Sequence, residues 1–198
     1  MNQIALLLLQ SFYLLLPAYF ANMAPVIFRK VNFLNISVDF GRSIGKNNIN
    51  TIKKNKYKRK SKKDRIFGNH KTWRGLFFAT VAGIVIAFIQ YLIQDNSLIS
   101  LIKLFPYDNW LLIGFLLGFG AIFGDLIKSF FKRRLHIDDG KPLYFFDQID
   151  YVAGSYLFLA AYYVVSLEIV IASVVMSFVL TVIVNNISFY LGIRKEKW

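Results

Sequence analysis

The residues able to do chemistry are concentrated between Gly124 and Tyr151, where the chain reads GDLIKSFFKRRLHIDDGKPLYFFDQIDY. Asp125, Ser129 and Lys132 are spaced i, i+4, i+7, so on a helix they share one face. Asp147 and Asp150 follow at i, i+3. Carboxylates offer hard oxygens to Mg²⁺ and leave coordination sites for water and substrate phosphate. Basic side chains next to them would hold phosphate, Lys as a point charge and Arg through its planar fork. Together these groups suit a metal-assisted reaction on a phosphate-bearing substrate. A plainer reading pairs Asp125 with Lys128 at i+3 as mutual neutralisation. It also takes Asp147 and Asp150 as acids favoured in a helix first turn, and Lys132-Arg133-Arg134 as a membrane-edge signal. Asp125 nevertheless lies inside an otherwise apolar run of membrane length, where an ionisable group is costly and points to a task. A second candidate group, His70-Lys71-Thr72-Trp73-Arg74, precedes another apolar run. Lys71 and Arg74 could recognise phosphate, with Gly68 and Gly75 allowing tight backbone. The same residues also fit a basic flank with an interfacial Trp.

The elements that must position these groups are apolar helices. The chain of 198 residues is 56% hydrophobic and 17% aromatic, with no cysteine. Five apolar runs, about 3–22, 75–94, 109–131, 150–167 and 169–191, have lengths that read as transmembrane helices. The expected fold is therefore an all-α integral membrane protein with five transmembrane helices. The last two runs, parted only around Glu168, should form a tight hairpin. The first lacks the basic start of a signal peptide and is expected to be a retained helix, kinked at Pro17. Gly114 and Gly118 form a small-xxx-small pair that invites close backbone approach, within the chain or across a dimer, so an oligomer is possible. Absence of cysteine excludes disulfides, thiolate metal sites and a cysteine nucleophile.

Charge supplies the orientation. Residues 29–74 hold 15 of the 24 Lys+Arg against two acids, Asp39 and Asp64, a surplus equal to the whole chain's +13. The positive-inside rule places this loop in the cytoplasm and the N-terminus outside. The 95–108 loop is then external, the 132–149 loop cytoplasmic, and the C-terminus, with Arg194, Lys195 and Lys197, cytoplasmic. The expectation is a single polytopic domain over 1–198 in the cell membrane, with its active site facing the cytoplasm. Within the basic loop, 42–63 is rich in Lys and Asn and is expected to be disordered and drawn to anionic lipid headgroups. Nothing else in the chain favours a nucleic-acid partner. An ion or solute transporter built on Asp125, or a non-catalytic membrane adaptor built on the basic loop, remains open on these grounds alone.

The order of the motifs resembles the CDP-archaeol synthase family, which is distantly similar to the CDP-diacylglycerol synthases. The resemblance rests on Ala21-Asn22 with Ala24-Pro25, Asp39-Phe40-Gly41, Asp64-Arg65-Ile66 leading to Gly68, and His70 to Gly75. It continues through Gly124-Asp125, Ser129-Phe130, Lys132-Arg133-Arg134 and Asp147-Gln148-Ile149-Asp150. It implies five transmembrane helices around a charged cytoplasmic pocket. It also implies Mg²⁺-dependent transfer of CMP from CTP to a membrane lipid phosphate, with pyrophosphate released. The acceptor would be a digeranylgeranylglyceryl-phosphate-like ether lipid or, in the related reaction, phosphatidic acid. By the family pattern Asp125, Asp147 and Asp150 are metal and catalytic residues, joined by Lys132. Asn22, Asp39, His70, Lys71, Thr72, Arg74, Ser129 and Arg133 would contact the substrates.

Overall fold

The structure is a computed structural model and describes residues 2–40, 42, 66–68, 71–135, 137 and 146–190. The expected disorder of 42–63 lies, Arg42 apart, outside the described residues, as do Asp64, Arg65 and His70. The described chain is all-helical apart from one isolated backbone bridge. Its helices are α1 (Gln3–Ile27), α2 (Trp73–Ile93), α3 (Ser97–Ile102), α4 (Trp110–Arg134), α5 (Phe146–Leu159) and α6 (Leu167–Tyr190). Three of them, α1 with the 3-10 turn that follows it, α2 and α4, are long and apolar enough to cross a membrane.

Several boundaries differ from the sequence reading, among them α1, which runs on to Ile27 rather than ending near 22. The run at 150–167 is not one helix, because α5 starts earlier and stops after 14 residues. Such a helix spans about 21 Å, short of a hydrocarbon core of about 30 Å. Its end is closed by turn bonds from the N–H of Ala161 to the carbonyl of Phe158 and from Tyr162 to Leu159. The following Tyr-Tyr-Val-Val stretch has weak helix propensity, so an irregular link replaces the expected tight hairpin at Glu168. The 95–108 segment, expected as a plain loop, contains α3, whose first turn is capped by Asn96 accepting from the N–H of Leu98 at 3.0 Å. Gln94 then pins the chain leading into α4, accepting from the N–H of Tyr107 and donating to Asp108. Helix α1 runs unbroken through Pro17 and Pro25.

Helix α4 is the axis, packed against α1, α2 and α5. Small residues make this possible, because membrane helices associate through close van der Waals contact rather than hydrophobic exclusion. A Cβ placed on Gly83 of α2 would come within 2.7 Å of the Gly118 Cα on α4. One on Gly154 of α5 would come within 2.9 Å of the Gly124 Cα. The glycine stripe of α4 is thus used inside the chain. Buried polar groups add directional ties. Gln90 of α2 donates to the Tyr13 carbonyl of α1 at 2.6 Å, and Ser155 of α5 donates to the Leu117 carbonyl at 3.0 Å. Helix α6 joins the bundle through Ser177 with Tyr19 and Ser173 with Tyr156.

Candidate active site

Positioning begins where α2 starts. Residues 31–40 form a strap antiparallel to 71–74, bridged between Ser37 and Thr72. The N–H of Val38 donates to the Lys71 carbonyl at 3.0 Å, and the N–H groups of Trp73 and Arg74 donate to Ile36 and Leu34. Thr72 caps α2, its hydroxyl accepting from the N–H of Gly75 at 3.2 Å. The first-turn N–H groups are therefore occupied, which leaves anion recognition here to side chains. Arg74 is steadied by donating from Nη1 to the Val31 carbonyl at 2.7 Å. Gly68, at φ 86°, takes a left-handed turn that favours glycine.

The second half is the contact between α4 and the first turn of α5. A Cβ on Gly124 would collide with the Asp150 carbonyl, so glycine lets the start of α5 lie directly on α4. Across this contact Lys128 Nζ lies 3.2 Å from Asp125 Oδ1, 3.1 Å from Asp147 Oδ1 and 2.6 Å from Asp150 Oδ2. Lys71 from the start of α2 pairs with the other oxygen of Asp125. Lys132 Nζ stands 3.9 Å from Asp147. The Asp150 side chain is only 6% exposed and the Asp125 side chain 14%. At such burial charges interact more strongly than in water, and uncompensated they would be costly.

Two cavities of unlike character meet this cluster. One, of about 860 Å³, is polar and lined by Asn22, Arg29, Lys30, Lys71, Arg74 and Asp125 among others. The other, of about 550 Å³, is almost wholly apolar and lies between α4 and α5. Ile127, Phe131, Ile149 and Leu157 form its walls, and Lys128 and Asp150 stand at its charged end. Phe131 and Leu157 are strongly exposed, as side chains facing lipid would be.

The structure brings together Asp125, Asp147, Asp150, Lys71 and Lys132, and sets Asn22, Thr72 and Arg74 around the adjoining polar cavity. Asp39 is buried in the strap, next to the residue that bonds Lys71. Ser129 shares the face of Asp125 but donates its hydroxyl to the Asp125 backbone carbonyl at 2.8 Å. Arg133 is buried in the last turn of α4. His70 lies outside the described residues. The residue the sequence reading undervalued is Lys128, which binds three carboxylates rather than neutralising Asp125 alone. Its signal was present, since a second intramembrane charge one turn from the first is itself an expense. Arg29 and Lys30 were read only as loop charge, yet both line the polar cavity.

The donor set suits a hard divalent cation. Three carboxylates from two helices converge on one point, and an ammonium, a stand-in cation, already sits there. Among the described residues no group of three or more His, Cys, Asp or Glu side chains is arranged to hold a metal ion by itself, so a divalent cation here would need water and substrate phosphates to complete its ligands.

An all-α membrane bundle with a buried carboxylate–ammonium cluster between a basic cavity and an apolar one defines the class of protein. The family described as CarS-like, CDP-archaeol synthase, matches residues 58–198. The CDP-archaeol synthase of Methanococcus aeolicus is 31% identical over 97% of this chain and 97% of its own length. That of Thermococcus onnurineus is 37% identical over 76% of this chain and 74% of its own. A solved intramembrane enzyme of archaeal membrane lipid biosynthesis superposes with a TM-score of 0.66 at 25% identity, covering 88% of this chain and 92% of that one. The chain belongs to the CDP-archaeol synthase family.

Proposed function

We infer that this chain forms CDP-archaeol, moving CMP from CTP onto the phosphate of a membrane ether lipid and releasing pyrophosphate. The observation that carries this reading is the meeting of a basic polar cavity and an apolar cavity at one charged cluster. A water-soluble triphosphate and a lipid-embedded phosphate require such a two-sided site. In the polar cavity Lys71 and Arg74, with Arg29 and Lys30, would hold the nucleotide phosphates. The apolar cavity would take the lipid chain and present its phosphate beside Lys128 and Asp150.

The chemistry then asks little covalent work of the protein. An oxygen of the lipid phosphate, already anionic, attacks the α-phosphorus of CTP. The bond from that phosphorus to the bridging oxygen breaks, and the electron pair leaves with pyrophosphate. No protein nucleophile or strong base is needed. The side chains hold two mutually repelling anions in contact and in line, which is positioning and charge stabilisation. Lys132, near Asp147, would offset charge on the departing pyrophosphate, and Arg133 would add to the basic last turn of α4. Mg²⁺, held by Asp125, Asp147 and Asp150, would neutralise phosphate charge and polarise the transferred group.

The same reading takes the chain as one polytopic domain in the cell membrane, N-terminus outside and C-terminus inside, whose five spans require α5 and the irregular link after it to cross together. Charge asymmetry supports it, as the basic 29–74 loop and the candidate site then both face the cytoplasm, where CTP is found. The loop would also meet anionic lipid headgroups.

The test is transfer of label from radiolabelled CTP into the lipid phase by purified protein with Mg²⁺. The acceptors are digeranylgeranylglyceryl phosphate and, separately, phosphatidic acid. Label is expected in the ether lipid; label in the diacyl lipid alone would replace the acceptor, and none in either would refute the activity. Asp150→Asn should lose activity by about 10²-fold or more while remaining folded in detergent. A fully active variant would remove Asp150 from the site.

A further inference from the structure

The strap at residues 31–40 has two unlike sides. Asn32 and Asn35 line the polar cavity, whereas Val31, Phe33, Leu34, Ile36 and Phe40 are left outside the bundle, Phe40 at 66% exposure. Single exposed apolar residues are ordinary, but five in so short a segment form a patch of the kind that marks an interaction surface. Two of them sit on unusual backbone. Leu34 and Phe40 have φ of 46° and 49°, a left-handed conformation that suits glycine or asparagine and that a bulky side chain rarely takes. Such strain persists where the surroundings hold it and the result is used.

The place of the strap decides what covers this patch. The chain leaves one membrane-length segment at Lys30 and enters the next at Trp73, so the strap lies where both meet the membrane face. Its apolar side continues theirs. Phe33 meets Phe77 of α2 edge to face at 5.4 Å, and Phe40 lies 6.1 Å from Trp73; Met23, Ile27 and Phe77 are themselves exposed. Arg29 and Lys30 directly precede the patch, as suits anionic headgroups over an apolar layer. Residues 43–65 are rich in Lys and Asn, with three isoleucines and one tyrosine as their large apolar side chains, and offer little to cover it. Irregular backbone near lipid needs its polar groups satisfied. The carbonyls of Leu34, Ile36 and Ser37 and the N–H groups of Val38 and Phe40 are paired, and the Val31 carbonyl accepts from Arg74. The remaining groups call for headgroups or water, which sets the depth at the interface rather than in the hydrocarbon centre.

We propose that the strap is an interfacial wedge, with Phe33, Leu34, Ile36 and Phe40 buried among the lipids of the bilayer and Asn32 and Asn35 facing the polar cavity. One wall of that cavity is then fixed at the membrane surface. The wedge holds whichever reaction the site performs. It also differs from attraction of the basic loop to headgroups, because its contacts are apolar and insensitive to salt.

The chain has no cysteine, so Phe33→Cys and Phe40→Cys each carry a nitroxide label at a single place. In phosphocholine vesicles these labels should collide with oxygen, which partitions into lipid, more often than with a water-soluble nickel chelate. The ratio should match that of a label at Val175→Cys on the exposed face of α6 and stay the same in high salt. A label at Asn35→Cys should favour the chelate. A chelate-favoured or salt-dependent ratio at 33 and 40 puts the patch in water. Exclusion of both reagents puts it against protein, a second copy of the chain included. Either result overturns the proposal. A second measurement uses the unaltered protein and is immune to misfolding. A carbene-generating probe dissolved in the bilayer should label the strap, which trypsin releases as one peptide by cutting after Lys30 and Arg42. A strap peptide left unlabelled while α6 is labelled overturns the proposal as well. CMP transfer by the same vesicles reports on the function separately, so failure of one conclusion is told apart from failure of the other.

Discussion

Replacing Gly124 with alanine would shift the carboxylates proposed to be catalytic without deleting any of them, and its cost can be worked from the structure. A Cβ at Gly124 would lie 2.8 Å from the Asp150 carbonyl carbon, nearer still to its oxygen, and 3.3 Å from the Gly154 Cα. Carbon atoms pack best at about 3.5–4.0 Å, so the start of α5 must retreat by about 1 Å. The atoms struck are backbone on a helix, which cannot rotate aside. Asp150 Oδ2 sits 2.6 Å from Lys128 Nζ, and Asp147 Oδ1 3.1 Å; a retreat of that size loosens both contacts. Misplacement by about 1 Å costs about 10²-fold in rate, or about 2.7 kcal/mol in the barrier. Overpacking should also remove about 1–3 kcal/mol of stability. The assay is therefore initial-rate CMP transfer, normalised to folded, monodisperse protein, with thermal unfolding measured in parallel. Gly118→Ala is the control. Its Cβ would meet α2 at 3.1–3.3 Å, a strain on packing remote from the carboxylates, so it should lose stability yet keep most of its turnover. Wild-type kcat/KM in Gly124→Ala, or equal loss in Gly118→Ala, would refute the reasoning.

Two further outcomes follow from single contacts. Arg74→Ala should raise KM for CTP by roughly tenfold with a smaller change in kcat if the side chain, which lines the polar cavity, holds the nucleotide as proposed. Arg74→Lys should recover only part of this, as it lacks the fork; a change confined to the lipid KM would place Arg74 in the wrong cavity. Gln90→Leu removes the buried bond to the Tyr13 carbonyl and should lower stability in detergent by about 0.6–1.7 kcal/mol, leaving activity intact. An unchanged or raised unfolding temperature would show that this tie between α1 and α2 is not stabilising.

Much of the bundle was legible because hydropathy is local. The stretches that became α1, α2 and α4 needed only their own residues to be recognised as helices of membrane length. Boundaries near polar or β-branched residues were less secure, since tertiary packing and capping decide them; α5 stopping at Leu159 and α3 forming behind Asn96 are the instances. The order of motifs from Asn22 to Asp150 was equally readable, and it carried the family resemblance and the list of candidate residues.

What the chain by itself determined is therefore an all-helical membrane protein with acidic and basic groups confined to a few segments. Partnership was decided by the tertiary structure. Lys128 looked like a neighbour of Asp125, because spacing along one helix reveals only that helix's own faces. Its bonds to Asp147 and Asp150 exist because glycines at 124 and 154 let α5 settle on α4, a contact between segments that local sequence does not link. The same holds for Lys71, carried to Asp125 by a strap that pairs with the start of α2. Charge–charge and hydrogen-bond energies act over a few ångströms of space, whereas sequence patterns report on a few residues of chain. Only folding turns one into the other.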